Sequence, residues 1–220
     1  MALGGAIAVG AITAGSALAA SGGSPASGWH IGYYTPSTHG ALSNAQAPVG
    51  AGIASLNFTN QPNTALLVTD QKAQNPTLLG DLTGKTIAAT FAVTGAPASD
   101  FTYYGEGTPS NPCTSPASAR LYFETSNKGG FDYTHFWWSN PSSAVLDSLA
   151  GTVTVTATVS PDQWSDWNGQ PGTVVLDGFA AAASHVTDIG LSFGGGCFFE
   201  NGVGTSDGQG TLTLISYAAS

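Results

Sequence analysis

Positive charge is what this chain lacks most. Its 220 residues include four basic ones, Lys72, Lys85, Arg120 and Lys128, against thirteen acids, for a net charge of −9. A nucleic-acid surface neutralises several phosphates with Lys and Arg, so that class of partner is excluded. Adhesion to anionic lipid fails for the same reason. Charge of either sign is sparse at 8%, and the Leu, Glu and Lys stripes of a helical bundle are missing. Cysteine is reduced to Cys113 and Cys197, neither with a second cysteine or a histidine at ligand spacing, which argues against zinc. The histidines His30, His39, His135 and His185 form no i, i+4 or short-loop pair, so a transition-metal site is not expected.

What is present begins with an uncharged apolar leader. Residues 1–20, MALGGAIAVGAITAGSALAA, end in the small triplet Ala17-Leu18-Ala19. This is the apolar core and cleavage site of a secretory signal, although no Lys or Arg precedes the run. We therefore expect an exported, extracellular protein. In that compartment two thiols form a disulfide, here Cys113 to Cys197, and closing so long a loop stabilises a fold by about 4 kcal/mol in the chain-entropy model. About 200 residues then remain, enough for one substantial core.

Residues 21–52 read as a spacer that becomes aromatic at Trp29, Tyr33 and Tyr34 and either lies on the surface or adds an edge strand. Residues 53–220 read as one domain of short strands. Thr152 to Val159 alternates Val153, Val155, Ala157 and Val159 against four threonines, which is the period of a half-buried antiparallel strand. Thr86 to Val93 repeats it with Ile87, Ala89, Phe91 and Val93 inward. Leu121 and Phe123, then Ile189, Leu191 and Phe193, then Leu212 and Leu214, supply further inward faces. Tyr133 to Trp138, large on both faces, suits the centre of a sheet. Pro, Gly and Asn clusters separate the runs. One short helix is expected at Phe179 to Ser184 with Asp177 as its cap, and a further helical turn at Ser143 to Leu149. The fold class that follows is all-β: an antiparallel two-sheet β-sandwich of jelly-roll type with one or two short helices.

The order of motifs in the last third carries a resemblance. A Val/Thr strand leads to Pro161-Asp162-Gln163-Trp164-Ser165-Asp166-Trp167, then to the helical Phe179-Ala180-Ala181-Ala182-Ala183. Val186-Thr187-Asp188-Ile189-Gly190-Leu191-Ser192-Phe193 and the closing Gly210-Thr211-Leu212-Thr213-Leu214 follow. This resembles the galactose-binding-like jelly rolls of secreted bacterial proteins, many of which are glycan-binding modules. The resemblance implies a sandwich with a Trp-bearing loop at one end. Such modules often place an acidic residue in the last strand beside a structural calcium, and TLTLISY has none.

The side chains in the expected loops suit a sugar. A flat ring covers the C–H patch of a pyranose while amides and carboxylates bond its hydroxyl rim. Such pairings occur at Tyr103-Tyr104-Gly105-Glu106, at Trp137-Trp138-Ser139-Asn140 and at Trp164-Ser165-Asp166-Trp167-Asn168. Alternation lets only one of Trp137 and Trp138 face the core. We therefore expect a non-catalytic module for a polysaccharide or cell-surface glycan, with Trp138, Trp167, Tyr103 and Tyr104 as stacking rings and Glu106, Asp166 and Asn168 as hydroxyl partners. A sandwich glycoside hydrolase or polysaccharide lyase, drawing on Glu106, Glu124, Asp132 or Glu200, is the alternative. A structural cell-surface protein without a small ligand is another. The two G-x-S-x-G matches, at Ser192 and Ser206, are turn glycines, because no helix follows the serine and no histidine comes later. No cofactor is expected beyond a structural calcium, for which Asp162, Asp166 and Asn168, or Glu200, Asn201 and Asp207, supply oxygen ligands without EF-hand spacing.

Overall fold

Alternating apolar side chains force two sheets to share one interior. The computed structural model describes residues 26–35, 42–96, 100–109, 114–126, 130–149, 151–195 and 197–220. The leader at 1–20 and Cys113 lie outside the described residues. Fourteen strands are described: β1 (Ala26–Tyr34), β2 (Leu42–Pro48), β3 (Ala54–Asn57), β4 (Thr64–Thr69), β5 (Thr86–Thr94), β6 (Phe101–Tyr103) and β7 (Ser118–Thr125). They continue with β8 (Phe136–Ser139), β9 (Ala144–Val145), β10 (Thr152–Thr158), β11 (Trp164–Asp166), β12 (Val186–Gly194), β13 (Val203–Thr205) and β14 (Thr211–Ala219). All their pairings are antiparallel. The larger sheet runs β11-β8-β7-β12-β4-β1-β2, with β13, β6 and β9 attached at its side, and the smaller runs β10-β5-β14-β3. The expected all-β sandwich is what forms.

The inner faces are those the alternation marks. Ile87, Ala89 and Phe91 from β5, Val155 and Ala157 from β10, and Leu212 and Leu214 from β14 meet Leu121 and Phe123 of β7 and Ile189, Leu191 and Phe193 of β12 in one core. Phe123 is a hub, with the Trp164 ring at 4.7 Å and the Phe179 ring at 6.3 Å. Buried indoles need a partner for their N–H. Trp137 donates to the Thr134 carbonyl and Trp164 to the Thr158 carbonyl, each at 2.7 Å. Gly190 lets β12 approach β4 closely, because a Cβ there would stand 2.1 Å from the Leu67 carbonyl oxygen.

Four local expectations are corrected. The segment 21–52 contributes β2 as an edge, but β1 lies one place further in, between β2 and β4, with Trp29 in the core against Tyr217 at 5.3 Å. Tyr133 to Trp138 is not one strand. Asp132 accepts the Thr134 N–H at 2.8 Å and winds Tyr133–His135 into a 3-10 turn, so the strand starts at Phe136. The helix α1 spans Leu176–Ala183 with Val175 at its N-cap, and Asp177 sits within its first turn rather than capping it. There its charge still suits the positive end of the helix. Ser143 to Leu149 divides into β9 and a 3-10 turn at Leu146–Ser148.

The outer face of the larger sheet is not the polar surface that alternation alone suggests. Leu66 and Val68 of β4, Tyr122 of β7 and Trp138 of β8 form a second buried cluster there, with Tyr34, Phe136 and Phe199 packed against it. The loop after β12 folds over this face and supplies Phe199. This arrangement creates the site.

Candidate functional site

Two turns build the site. In the first, the Asp166 carboxylate at the end of β11 accepts the backbone N–H groups of Asn168 at 2.9 Å and Gln170 at 2.8 Å. Such a side-chain-closed turn needs a left-handed residue, and Gly169 supplies it at φ +73°. The turn carries Trp167 outward, and its ring is 45% exposed. In the second, Asn201 ties the loop after β12, accepting the Gly195 N–H at 3.0 Å and donating to the Tyr104 carbonyl at 2.8 Å. This loop presents Phe198 to solvent and presses Phe199 and Glu200 onto the sheet. Between the turns lies a cleft of about 180 Å3 lined by Trp138, Trp167, Phe198, Glu200, Asn201 and Asp166, among others.

Glu200 is the unusual group in this cleft. It is 8% exposed and accepts a long hydrogen bond from the Tyr34 hydroxyl at 3.5 Å. Burial pushes its carboxyl up to about 8, and the charge of Glu124 pushes the same way. The Tyr34 hydroxyl and the Trp138 indole act in the opposite sense. Asp166 Oδ2 is buried without a hydrogen-bond partner, while Trp138 Nε1 and Glu200 Oε2 are buried and interact with one another short of full hydrogen-bond geometry. Behind Phe199, the Arg120 guanidinium stacks 4.1 Å from the ring centroid and donates to the Ser139 carbonyl at 2.9 Å. Its burial lowers it to about 10.

Beside the cleft runs a group of rings outside the core. Phe131 is 59% exposed and touches Tyr133 at 5.2 Å, Phe136 at 5.6 Å and Trp167 at 5.5 Å. Trp167 in turn meets Phe136 at 5.3 Å and Trp138 at 5.8 Å. Apolar rings left in water at such density mark a binding surface more often than chance does.

Of the residues singled out from sequence, Trp138, Asp166 and Trp167 come together at the cleft, and Asn168 is exposed in the same turn. Only Trp167 among them offers an open ring. Trp138 is 4% exposed: the alternation does send it to the face opposite Trp137, but Trp167 and the second cluster cover it. Tyr103 is buried in β6 against Gly195, where a Cβ would meet its ring at 2.4 Å, so it cannot stack on a ligand. Tyr104 and Glu106 are exposed but do not line the cleft; the Tyr104 carbonyl accepts a hydrogen bond from Asn201, which does. Phe131, Tyr133, Tyr34, Phe198 and Glu200 were not anticipated at this surface. Their signal was the pairing of rings with turn residues at Phe131-Asp132-Tyr133 and at Phe198-Phe199-Glu200-Asn201.

One oxygen of each of three residues considered for calcium is engaged elsewhere. Asp166 Oδ1 takes two backbone N–H groups, Asp207 Oδ1 takes the Gln209 N–H and Asn201 Oδ1 takes that of Gly195. Among the described residues, no three His, Cys, Asp or Glu side chains are placed to hold a metal ion. The hydrolase alternative needs converging carboxyls, and the cleft is lined by two, Glu200 and Asp166. Glu124, raised by burial to about 7 and hydrogen-bonded by Tyr122, lines a different groove from Glu200, while Glu106 and Asp132 are exposed and outside the cleft.

No family model matches the chain, and no curated protein matches it. Among solved structures, a mutant of Xylanase10C from Cellvibrio japonicus in complex with xylopentaose is similar at 14% identity, with a TM-score of 0.48 over 88% of this chain. This chain spans 27% of the length of that one. A xylan-binding module, CBM15, is similar at 13% identity and a TM-score of 0.41, over 87% of this chain and 93% of the module. At these scores neither likeness bears on ligand or chemistry.

Proposed function

We propose that the protein is a secreted, non-catalytic module that binds a polysaccharide or cell-surface glycan. The chain of the ligand runs over Trp167, Phe131 and Tyr133, and one of its units enters the cleft beside Glu200 and Asn201. The observation that carries this reading is the continuity of exposed rings with a cleft lined by the polar side chains of Asp166, Glu200 and Asn201. Rings cover the apolar sugar face, and polar groups take the hydroxyls. Export rests on the leader at residues 1–20 and on the scarcity of free thiols. Among the described residues no cysteine is free. Pairing of Cys197, which lines the cleft, with Cys113 would anchor the loop that carries Phe198 and Glu200.

The test is retention of the full chain by xylan, mixed-linkage β-glucan and galactomannan in affinity electrophoresis at pH 6, with release of reducing ends followed in parallel. Retention by at least one polymer without release of reducing ends is the expected result. Retention by none overturns glycan binding. Release of reducing ends that disappears in Glu200→Gln overturns the non-catalytic role.

A further inference from the structure

We infer that the cleft admits a neutral sugar unit and rejects a uronate, with Glu200 as its hydroxyl contact and with Asp166, but no Lys or Arg among the described residues, in its lining. The inference deepens the glycan reading and rests on it. A cleft of about 180 Å3 is smaller than the ~300–1,000 Å3 of sites for drug-sized ligands, so it takes a single ring. Behind the cleft wall lie buried polar atoms: an Asp166 oxygen without a hydrogen-bond partner, and the Trp138 indole and Glu200 carboxyl, which act on one another. Each such atom is costly to leave unpaired, and a hydroxyl, which both donates and accepts, can serve any of them. Trp167 and Phe198 are the two exposed rings of the lining.

The charges around Glu200 decide against an acid. Tyr34 faces it from β1 and Trp138 from β8, while Tyr122 and Glu124 of β7 interact with it electrostatically. Asp166 lines the same cleft, and no Lys or Arg does so among the described residues. Arg120 lies behind Phe199, with its guanidinium over the ring and bonded to the Ser139 carbonyl, and does not line the cleft, although its Nε is without a partner. A uronate would therefore enter next to Asp166 with no counter-charge lining the wall. In its acid form, Glu200 donates to a neutral hydroxyl. Burial and the neighbouring Glu124 hold it in that form at neutral pH. Once ionised it can only accept, and only the remaining acid fraction binds.

The experiment measures affinity for the best-retained polymer of the neutral panel between pH 5.5 and 9.5, with circular dichroism at each pH to show the fold intact. The wild-type dissociation constant should stay level to pH 7 and rise about tenfold per pH unit above 8. Glu200→Gln should bind several-fold more weakly at pH 6 but show no rise. Glu124→Gln should move the rise to lower pH, because it removes the charge that favours the acid form. Polygalacturonate should bind at least a hundredfold more weakly than the neutral polymer at pH 7. A wild-type affinity that is flat to pH 9.5, or polygalacturonate bound as tightly as the neutral panel, overturns the assignment and leaves glycan binding standing. Absence of binding to every neutral polymer at pH 6 removes both.

Discussion

Raising the pH should destabilise this protein through the carboxyls on the outer face of its larger sheet. A carboxyl pushed upward by burial is protonated in the folded chain at pH values where the unfolded chain has already released the proton. Its contribution is therefore complete below the ordinary value of 4.5 and is lost as pH rises towards the folded value of about 8 for Glu200. Between those limits each pH unit costs roughly 1.4 kcal/mol per such group, which sets a ceiling of about 5 kcal/mol for Glu200. Glu124, raised to about 7, adds to the loss over a narrower window. Domains of this kind have only about 5–15 kcal/mol in total, so the effect is large. Urea unfolding at pH 5, 7 and 9, followed by tryptophan fluorescence, measures it. The Glu200→Gln variant should lose markedly less stability than wild type between pH 5 and 8. Equal slopes for the two proteins, or a wild type of constant stability over that range, would refute the reasoning.

Other perturbations have defined outcomes. Gly190→Ala places a Cβ 2.1 Å from the Leu67 carbonyl oxygen, and the forced separation of β12 and β4 should lower stability by about 2 kcal/mol or more in chemical denaturation. Trp137→Ala empties a fully buried ring site beside Phe179 and should cost about 3–5 kcal/mol. Trp167→Ala, at a half-exposed ring, should cost under about 1 kcal/mol. Reduction with dithiothreitol should lower stability by about 4 kcal/mol if Cys113 and Cys197 are paired; an unchanged denaturation midpoint would contradict the pairing.

The sandwich was legible because period-two alternation is a local signal. The Val/Thr strand at β10 and the inward sets of β5, β7 and β12 could be assigned face by face without a structure. Trp167 was legible for a similar reason, since Asp166, Asn168 and Gly169 announce a turn that must throw the intervening ring outward. Trp138 and Tyr103 were misjudged because alternation tells which face a side chain takes, not what later covers it. The loop of Phe198, Phe199 and Glu200 is remote in sequence from β8 and from Tyr34, and it seals that face. Asp132 shows the opposite case: a single side-chain hydrogen bond to Thr134 shortened an expected strand and set Phe131 and Tyr133 beside Trp167. Glu200 read as a hydrolase carboxyl or a calcium ligand and not as a buried group, because its burial depends on elements far apart in sequence.

The central claim is that the ring surface around Trp167 holds the ligand. Titration calorimetry of wild type, Trp167→Ala and Tyr104→Ala with the best-retained neutral polymer tests it most directly, each variant first shown to unfold at the wild-type temperature within a few degrees. The account predicts that Trp167→Ala weakens binding at least tenfold, the loss of one well-placed aromatic contact, while Tyr104→Ala, outside the cleft, has the smaller effect. Full affinity in Trp167→Ala together with a collapse in Tyr104→Ala would place the ligand on the other side of the loop and contradict it.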